Sequence, residues 1–444
     1  MRQPQSRAGS PKRGPAPGQL AAAIMAAIAV ALPLPAISQQ SDVPGTFKPG
    51  KVGRSLDRTF ASEASGNRYG KWYVDGAHGS NHNDCKSPQH ACRTIGHAIR
   101  LSAQGDSIIV AAAIYPETLT MPHGLNLIGA GAATTIIDGE GIGSVILNGH
   151  HGVTVSNVTM RNGGGDYGGG VGDGGNIYNC GYPHNASITI SDSVIVGGRV
   201  RRGHGNDGYG GAIYNCADST VTIINTTISG NRAEVGGAIC NGGKLTIRNS
   251  TFSDNNVRQD KAGAIANYGL VVIDNSTFSR NNSRSIGRGG AIQNGGILYH
   301  AAGTLIISNS TFSGNEAGGG GGIFNVKGSR TVLQNSIVAN NLGGNCSGSL
   351  TSRGYNLSSD ASCTFNGTGD LNDTDPDLGH LQNNGGPTRT MALLQGSPAI
   401  DSGNPGGCTD NRGHLLETDQ RGKPRPDKED SGGCDRGAYE RQGD

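Results

Sequence analysis

Aromatic side chains are scarce in this chain. Seven Phe, twelve Tyr and one Trp make up 5% of 444 residues, and all hydrophobic residues together reach only 34%. The composition is not that of an ordinary Leu- and Phe-rich globular core. An excess of either charge is missing too: 36 Lys and Arg stand against 34 Asp and Glu. Nothing in that balance recommends nucleic acid or an anionic membrane as a partner. Beyond the first forty residues no apolar run approaches the length of a membrane span, and no CxxC or His-rich spacing points to zinc. What the chain has in excess is glycine, 76 residues of it. Gly-rich chains without a collagen period are commonly disordered where hydrophobic patterning is absent. Here the patterning is strong, so a repetitive ordered architecture is expected.

The N-terminus reads as a processing signal. MRQPQSRAGSPKRG is basic, LAAAIMAAIAVALPLPA is apolar but short and Pro-broken, and Ala36 and Ser38 offer a small-residue cleavage site before Gln39. Residues 1–38 are therefore expected to be a signal peptide and 39–70 a flexible linker. The leader holds Arg2, Arg7, Lys12 and Arg13 and no acids, so its removal takes the formal charge from +2 to −2. Nine cysteines in an exported chain suit an oxidising compartment. Cys85/Cys92, Cys346/Cys363 and Cys408/Cys434 look like local pairs. Cys180, Cys216 and Cys240 remain, with one thiol left over and the connectivity open.

A Gly-rich motif recurs as GGNIYN, GGAIYN, GGAICN, AGAIAN, GGAIQN and GGGIFN, with its Ile at 177, 213, 239, 265, 292 and 323. The steps are 36, 26, 26, 27 and 31 residues, a period that means a solenoid, a propeller or an array. A second motif interleaves: NTTISGN, NSTFSDN, NSTFSRN and NSTFSGN begin at Asn225, Asn249, Asn275 and Asn309. Apolar residues sit two and four positions before each of these asparagines, as in Leu245/Ile247 and Val271/Ile273. That alternation is a strand with one buried face. Two or three short strands per 26 residues, with no helical stretch, fit one turn of a parallel β-helix better than a four-stranded propeller blade. Gly and Asn then serve corners that need positive φ. Asn215, Asn241, Asn267, Asn294 and Asn325 are expected to stack as an amide ladder, and Phe252, Phe278 and Phe312 as a column of rings. Ile95, Ala98, Ile99 and Ser102 have the spacing of a short amphipathic helix that would cap the first coil.

The GGAI and FSxN repeats over roughly residues 150–341 resemble those of the chlamydial polymorphic outer membrane proteins. TDPDLGHLQNNGGPTRTMALLQGSPAIDSG, with TDQRGKPRP and CDRGAYE after it, resembles the choice-of-anchor Q domain of bacterial surface proteins over about residues 370–440. These resemblances imply a right-handed parallel β-helix with the pectate-lyase-like fold, all-β, exported and often displayed at the cell surface. The expected organisation is an N-terminal cap at 71–104, the β-helix at 105–345, and a loop-rich tail at 346–444 packed on the last coils.

That fold hosts polysaccharide lyases, esterases and hydrolases, so it does not define activity. Arg202, His204 and Asp207 in RRGHGNDG are candidate catalytic residues, because family-28 glycoside hydrolases place paired Asp residues near a GHG segment. The companion Asp motifs are missing here, so two-carboxylate hydrolysis lacks its partner. Arg199, Arg201 and Arg202 together could hold an acidic glycan. Asp373, Asp375 and Asp377 in DLNDTDPDLG are candidate calcium ligands, without the Gly and Glu that an EF-hand loop requires. No other cofactor is expected. The sequence therefore favours an exported β-helix scaffold displaying loops for adhesion, with a polysaccharide or a host or neighbour cell-surface ligand as partner. A secreted polysaccharide lyase or glycoside hydrolase is the alternative.

Overall fold

A computed structural model describes residues 69–165, 173–181, 185–200, 208–296, 301–427 and 433–443. The expected signal peptide, nearly all of the expected linker, and Arg201, Arg202, His204 and Asp207 lie outside the described residues. The chain winds as a right-handed parallel β-helix with three faces. The first face is an eleven-stranded sheet running from Lys71–Val74 to Thr351–Ser352. The second has ten strands, from Ala113–Pro116 to Leu357–Ser358, and the third nine, from Leu119–Met121 to Cys346–Ser347. Neighbouring strands in all three faces pair in parallel and without slips along the repeat: Ile177, Ile213, Ile239, Ile265, Ile292 and Ile323 stand in one register. The stack starts before residue 105, since Lys71–Val74 pairs with Ser107–Val110. Among the described residues no helix is long and apolar enough to cross a membrane.

The repeat builds this core by alternation. In each Ile-x-Asn strand of the third face the Ile and Asn are buried inside the coil. The expected ladder runs from Asn148 through Asn179, Asn215, Asn241, Asn267 and Asn294 to Asn325, with amide-to-amide bonds of 2.7–2.9 Å. Each step satisfies a buried donor and acceptor that would otherwise cost about 1–3 kcal/mol. A second ladder, not foreseen from the sequence, joins Asn231, Asn255, Asn281, Asn315 and Asn341, which end ISGN, FSDN, FSRN, FSGN and VANN. The left-handed corners belong to neither. One row falls on the first residue of the NST motif, Asn225, Asn249, Asn275, Asn309 and Asn335, with φ between 47° and 50°, and another on the residue before the second ladder, Gly230, Asp254, Arg280, Gly314 and Asn340. Stacking and corner-turning are thus divided between different asparagines. Phe252, Phe278 and Phe312 stack nearly coplanar, with centroids 4.6 and 4.7 Å apart.

The first end of the core is closed. The helix Ile95–Leu101 buries Ile95, Ala98 and Ile99 over the first coils. Thr94 caps it, and the Glu117 carboxylate accepts from the free amides of Ile95 and Gly96 at 2.8 Å each. Four disulfides join Cys85–Cys92, Cys180–Cys216, Cys346–Cys363 and Cys408–Cys434, leaving Cys240 as a buried free thiol. Register explains the choice. Cys180 and Cys216 each follow the ladder Asn of adjacent coils, whereas Cys240 pairs in register with Tyr214.

The tail lies along the flank of the second face and reaches back well beyond the last coils. Its dock is the NST row itself. Asn275, Asn309 and Asn335 donate from their side chains to the carbonyls of Thr418, Thr409 and Asp435. The Thr251 hydroxyl donates to Arg389 O, Thr277 donates to Gln420, and Thr311 accepts from the Ala438 amide. The residues of TDQRGKPRP and CDRGAYE form the clasp: Asp419 with Arg421 at 2.7 Å and Glu440 with Arg425 at 2.6 Å, all four buried.

Burial at this junction sets a pH dependence. Burial, with the neighbouring Glu440 charge, raises Asp435 to about 7. Burial against the tail raises Asp274 to about 6, the nearby Arg248 opposing. Between the ordinary carboxyl value of 3.8 and these raised values the folded state holds protons that the unfolded chain has released. Stability therefore falls as pH rises through that window. Carboxylates held low, such as Asp106 and Asp410, lose their contribution only below it. Urea unfolding is expected at a higher midpoint at pH 5 than at pH 8, and equal or reversed midpoints would contradict this account.

Candidate functional site

The third face has an outward side as well as an inward one. The middle residue of each Ile-x-Asn strand points out of the coil, giving the column Tyr178, Tyr214, Cys240, Ala266, Gln293 and Phe324. Beside it a second column forms where the long connections from the second face arrive: Asp173, Tyr209, Val235, Lys261 and Arg288. A Gly-Gly step, replaced in one coil by Ala262-Gly263, separates the two columns. Gly236 takes φ +64°, and a Cβ on Gly237 would stand 2.2 Å from Gly263 O. Only glycine allows the connection to fold back this close to the next coil.

The two columns meet in an aromatic corner. Tyr178 and Tyr214 stack across one coil step with centroids 5.7 Å apart, and Tyr209 tilts against Tyr214 at 6.0 Å. Further along, Val235, Ala262 and Ala266 pack with Tyr209 and Tyr268, and the Arg288 guanidinium stands 5.4 Å over Phe324. Asp173 lies at the Tyr end, accepting from the Tyr209 amide at 3.1 Å. Its burial raises it to about 6, against the pull of that amide. Burial likewise pushes the Tyr214 hydroxyl and the Cys240 thiol up. The thiol is therefore a packed, protonated group and not a nucleophile.

The connections that carry the second column also carry arginines. Arg199, Arg232, Arg258 and Arg284 come from four successive coils, and Arg199 and Arg232 are bridged in parallel. Arg258 lies 3.9 Å from Glu234, and Arg284 donates to Arg258 O. Of the basic segment singled out in the sequence, Arg199 is present here and exposed, one coil from Arg232.

Asp373, Asp375 and Asp377 are exposed and act as turn formers. Asp373 and Asp377 take φ of 49° and 45°, and Asp375 accepts from the Asp377 amide at 3.1 Å. Their carboxylates do not converge. Among the described residues the one group of three metal-type ligands is Cys85, Cys92 and His97, and its two sulfurs are tied in a disulfide. Asp173, Tyr209 and Tyr214 were not found from the sequence. The signal for Tyr178 and Tyr214 was present, as the variable position between a buried Ile and a buried Asn.

Residues 141–342 match the family model described as a right handed beta helix region. No curated protein matches the chain. Among solved structures it is similar to pectate lyase Pel9A, at 14% identity over 85% of this chain and 98% of that one, with a TM-score of 0.49. A pectin methylesterase from Aspergillus niger aligns at 12% identity over 70% and 87%, TM-score 0.29. A GH136 lacto-N-biosidase from Eubacterium ramulus aligns at 14% over 58% and 64%, TM-score 0.24. None of these likenesses carries an activity over to this chain.

Proposed function

We propose that this protein is an exported β-helix, secreted or displayed at a cell surface, that contacts carbohydrate through the aromatic corner and does no chemistry on it. The observation that carries the reading is the line of Tyr178, Tyr214 and Tyr209 on the outward side of the third face. Rigid rings of this kind offer an apolar face for a sugar and a polar tip for its hydroxyls. The N-terminal leader, the four disulfides and the repeats resembling those of surface proteins all support export. Adhesion is the role this arrangement suits.

A second reading is favoured by one group. Asp173, raised to about 6, sits in the range of a general acid, as a lyase or glycoside hydrolase would need. Incubating the purified chain with neutral and acidic polysaccharides, then measuring product masses and retention, separates the two. Retention without shortened or unsaturated products is the expected result, with Tyr214→Ala weakening it about tenfold. Products that disappear in Asp173→Asn would replace the scaffold by the enzyme. Retention on no polysaccharide would remove both.

A further inference from the structure

The arginine strip is not explained by the fold. Along the connections, side chains alternate as in any strand. Val200, Ala233, Val257 and Ser283 are buried, while Arg199 and Arg284 are exposed and Arg232 and Arg258 half-buried. Nature has thus placed four cations on one side of four stacked coils. Arg199 and Arg232 stand directly opposite each other on coils roughly 4.8 Å apart, where like charges destabilise each other. Arg232 in turn faces Asn256, so that Arg258 and Arg284 lie two residues further along the same side. Their neutralisation from within is meagre. Glu234 is the one acid among the described residues that acts on Arg232, while Arg258, Arg284 and Arg199 all oppose its charge after burial does. The Nε atoms of Arg232 and Arg258 are shielded from solvent and have no hydrogen-bond partner among the described residues, that of Arg258 lying 3.9 Å from Glu234. Glu316, the next acid along the column, accepts from the neutral Asn282 amide and keeps its charge, so the four arginines have two acids along them among the described residues. The strip is also local, because the chain beyond its basic leader has a formal charge of −2.

We infer that Arg199, Arg232, Arg258 and Arg284 form a binding site for a linear acidic polysaccharide laid along the helix axis, its anionic groups meeting successive coils. One pyranose residue advances by about the coil rise, so a charged sugar per coil would present an anion to each guanidinium in turn. Guanidinium groups take carboxylates or sulfates through paired N–H donors, and the exposed guanidinium groups of Arg199 and Arg284 are accessible to supply them. The inference rests on the carbohydrate reading above and adds the charge of the ligand to it.

The test uses the purified full chain and three matrices with the same backbone: dextran, carboxymethyl dextran and dextran sulfate. Retention on one or both charged matrices, reversed by salt as screening requires, is expected. Stronger retention on carboxymethyl dextran assigns a uronate-type ligand, and on dextran sulfate a sulfated one. The Arg232→Gln/Arg258→Gln/Arg284→Gln variant should bind the charged matrix about a hundredfold more weakly. The exposed pair Arg199→Gln/Arg284→Gln, remote from the buried core, should weaken it about tenfold and serves if the triple variant does not fold. Unchanged retention of a folded variant would overturn the site, and duplex DNA bound as tightly as the charged dextran would overturn the ligand class. Tyr214→Ala tests the aromatic corner separately: loss on all three matrices belongs to that corner, whereas loss confined to the charged ones belongs to the arginines.

Discussion

Replacing Arg425 by alanine is expected to cost about 3–5 kcal/mol, among the largest effects of any single change in the tail. The Arg425 side chain is fully buried. It donates to Glu440 Oε2 at 2.6 Å, to Asn275 Oδ1 at 2.8 Å and to Gly437 O at 2.8 Å. It therefore joins the two ends of the clasp to each other and to a corner asparagine of the coil stack. Alanine would leave Glu440 buried beside Asp435 without its ion-pair partner, and Glu440 Oε1 already lacks a hydrogen-bond partner among the described residues. Removing one member of a buried pair is far more costly than removing both. Arg425→Met combined with Glu440→Leu should accordingly recover most of the loss. Urea unfolding, with hydrogen exchange read over residues 376–427 and 433–443, measures both. A midpoint for Arg425→Ala within error of the unmodified chain would show that the clasp does not hold the tail.

Phe278→Ala should cost a comparable amount, about 3–5 kcal/mol. Phe278 is the middle ring of three and has an aromatic neighbour on either side, at 4.6 and 4.7 Å. Its removal opens a cavity that the coils cannot close, because both adjoining strands are pinned in register by their own backbone bonds. Phe278→Leu refills part of that space and should cost less than half as much. An alanine variant less than about 1 kcal/mol below the parent would mean that the coil relaxes around the gap, contrary to this account.

The coil was legible in the sequence because each of its rules is local. Leu245 and Ile247 announce a buried face two residues apart, and the recurrence of Ile-x-Asn places each strand under its copy. The first ladder and the Phe column follow from register alone. The second ladder was hidden, since Asn255 or Asn281 in FSxN looks like any turn residue until the path of the chain is known. The dock of the tail was hidden for a different reason. Thr251 meets Arg389 and Asn275 meets Arg425 across separations of 138 and 150 residues, and no local pattern encodes such distances. The TDQRGKPRP and CDRGAYE segments are conspicuous in the sequence, and apart from the exposed Lys423 their charged residues prove to be buried fastenings. Of the candidate site, only Arg199 was singled out beforehand. The other three arginines follow the second ladder as NR, NNVR and NNSR, a recurrence that is plain once the ladder is aligned.

A tail folded back along the flank changes how the molecule would carry load. A solenoid pulled from its last strand peels open one coil at a time, each coil bearing the force alone. Here the final residues are fastened to Asn275, Thr311 and Asn335, each in a different coil. Tension applied at the C-terminus would load these fastenings together, in shear along the stack. A chain that tethers something at a surface would gain from that geometry a grip that fails late and all at once.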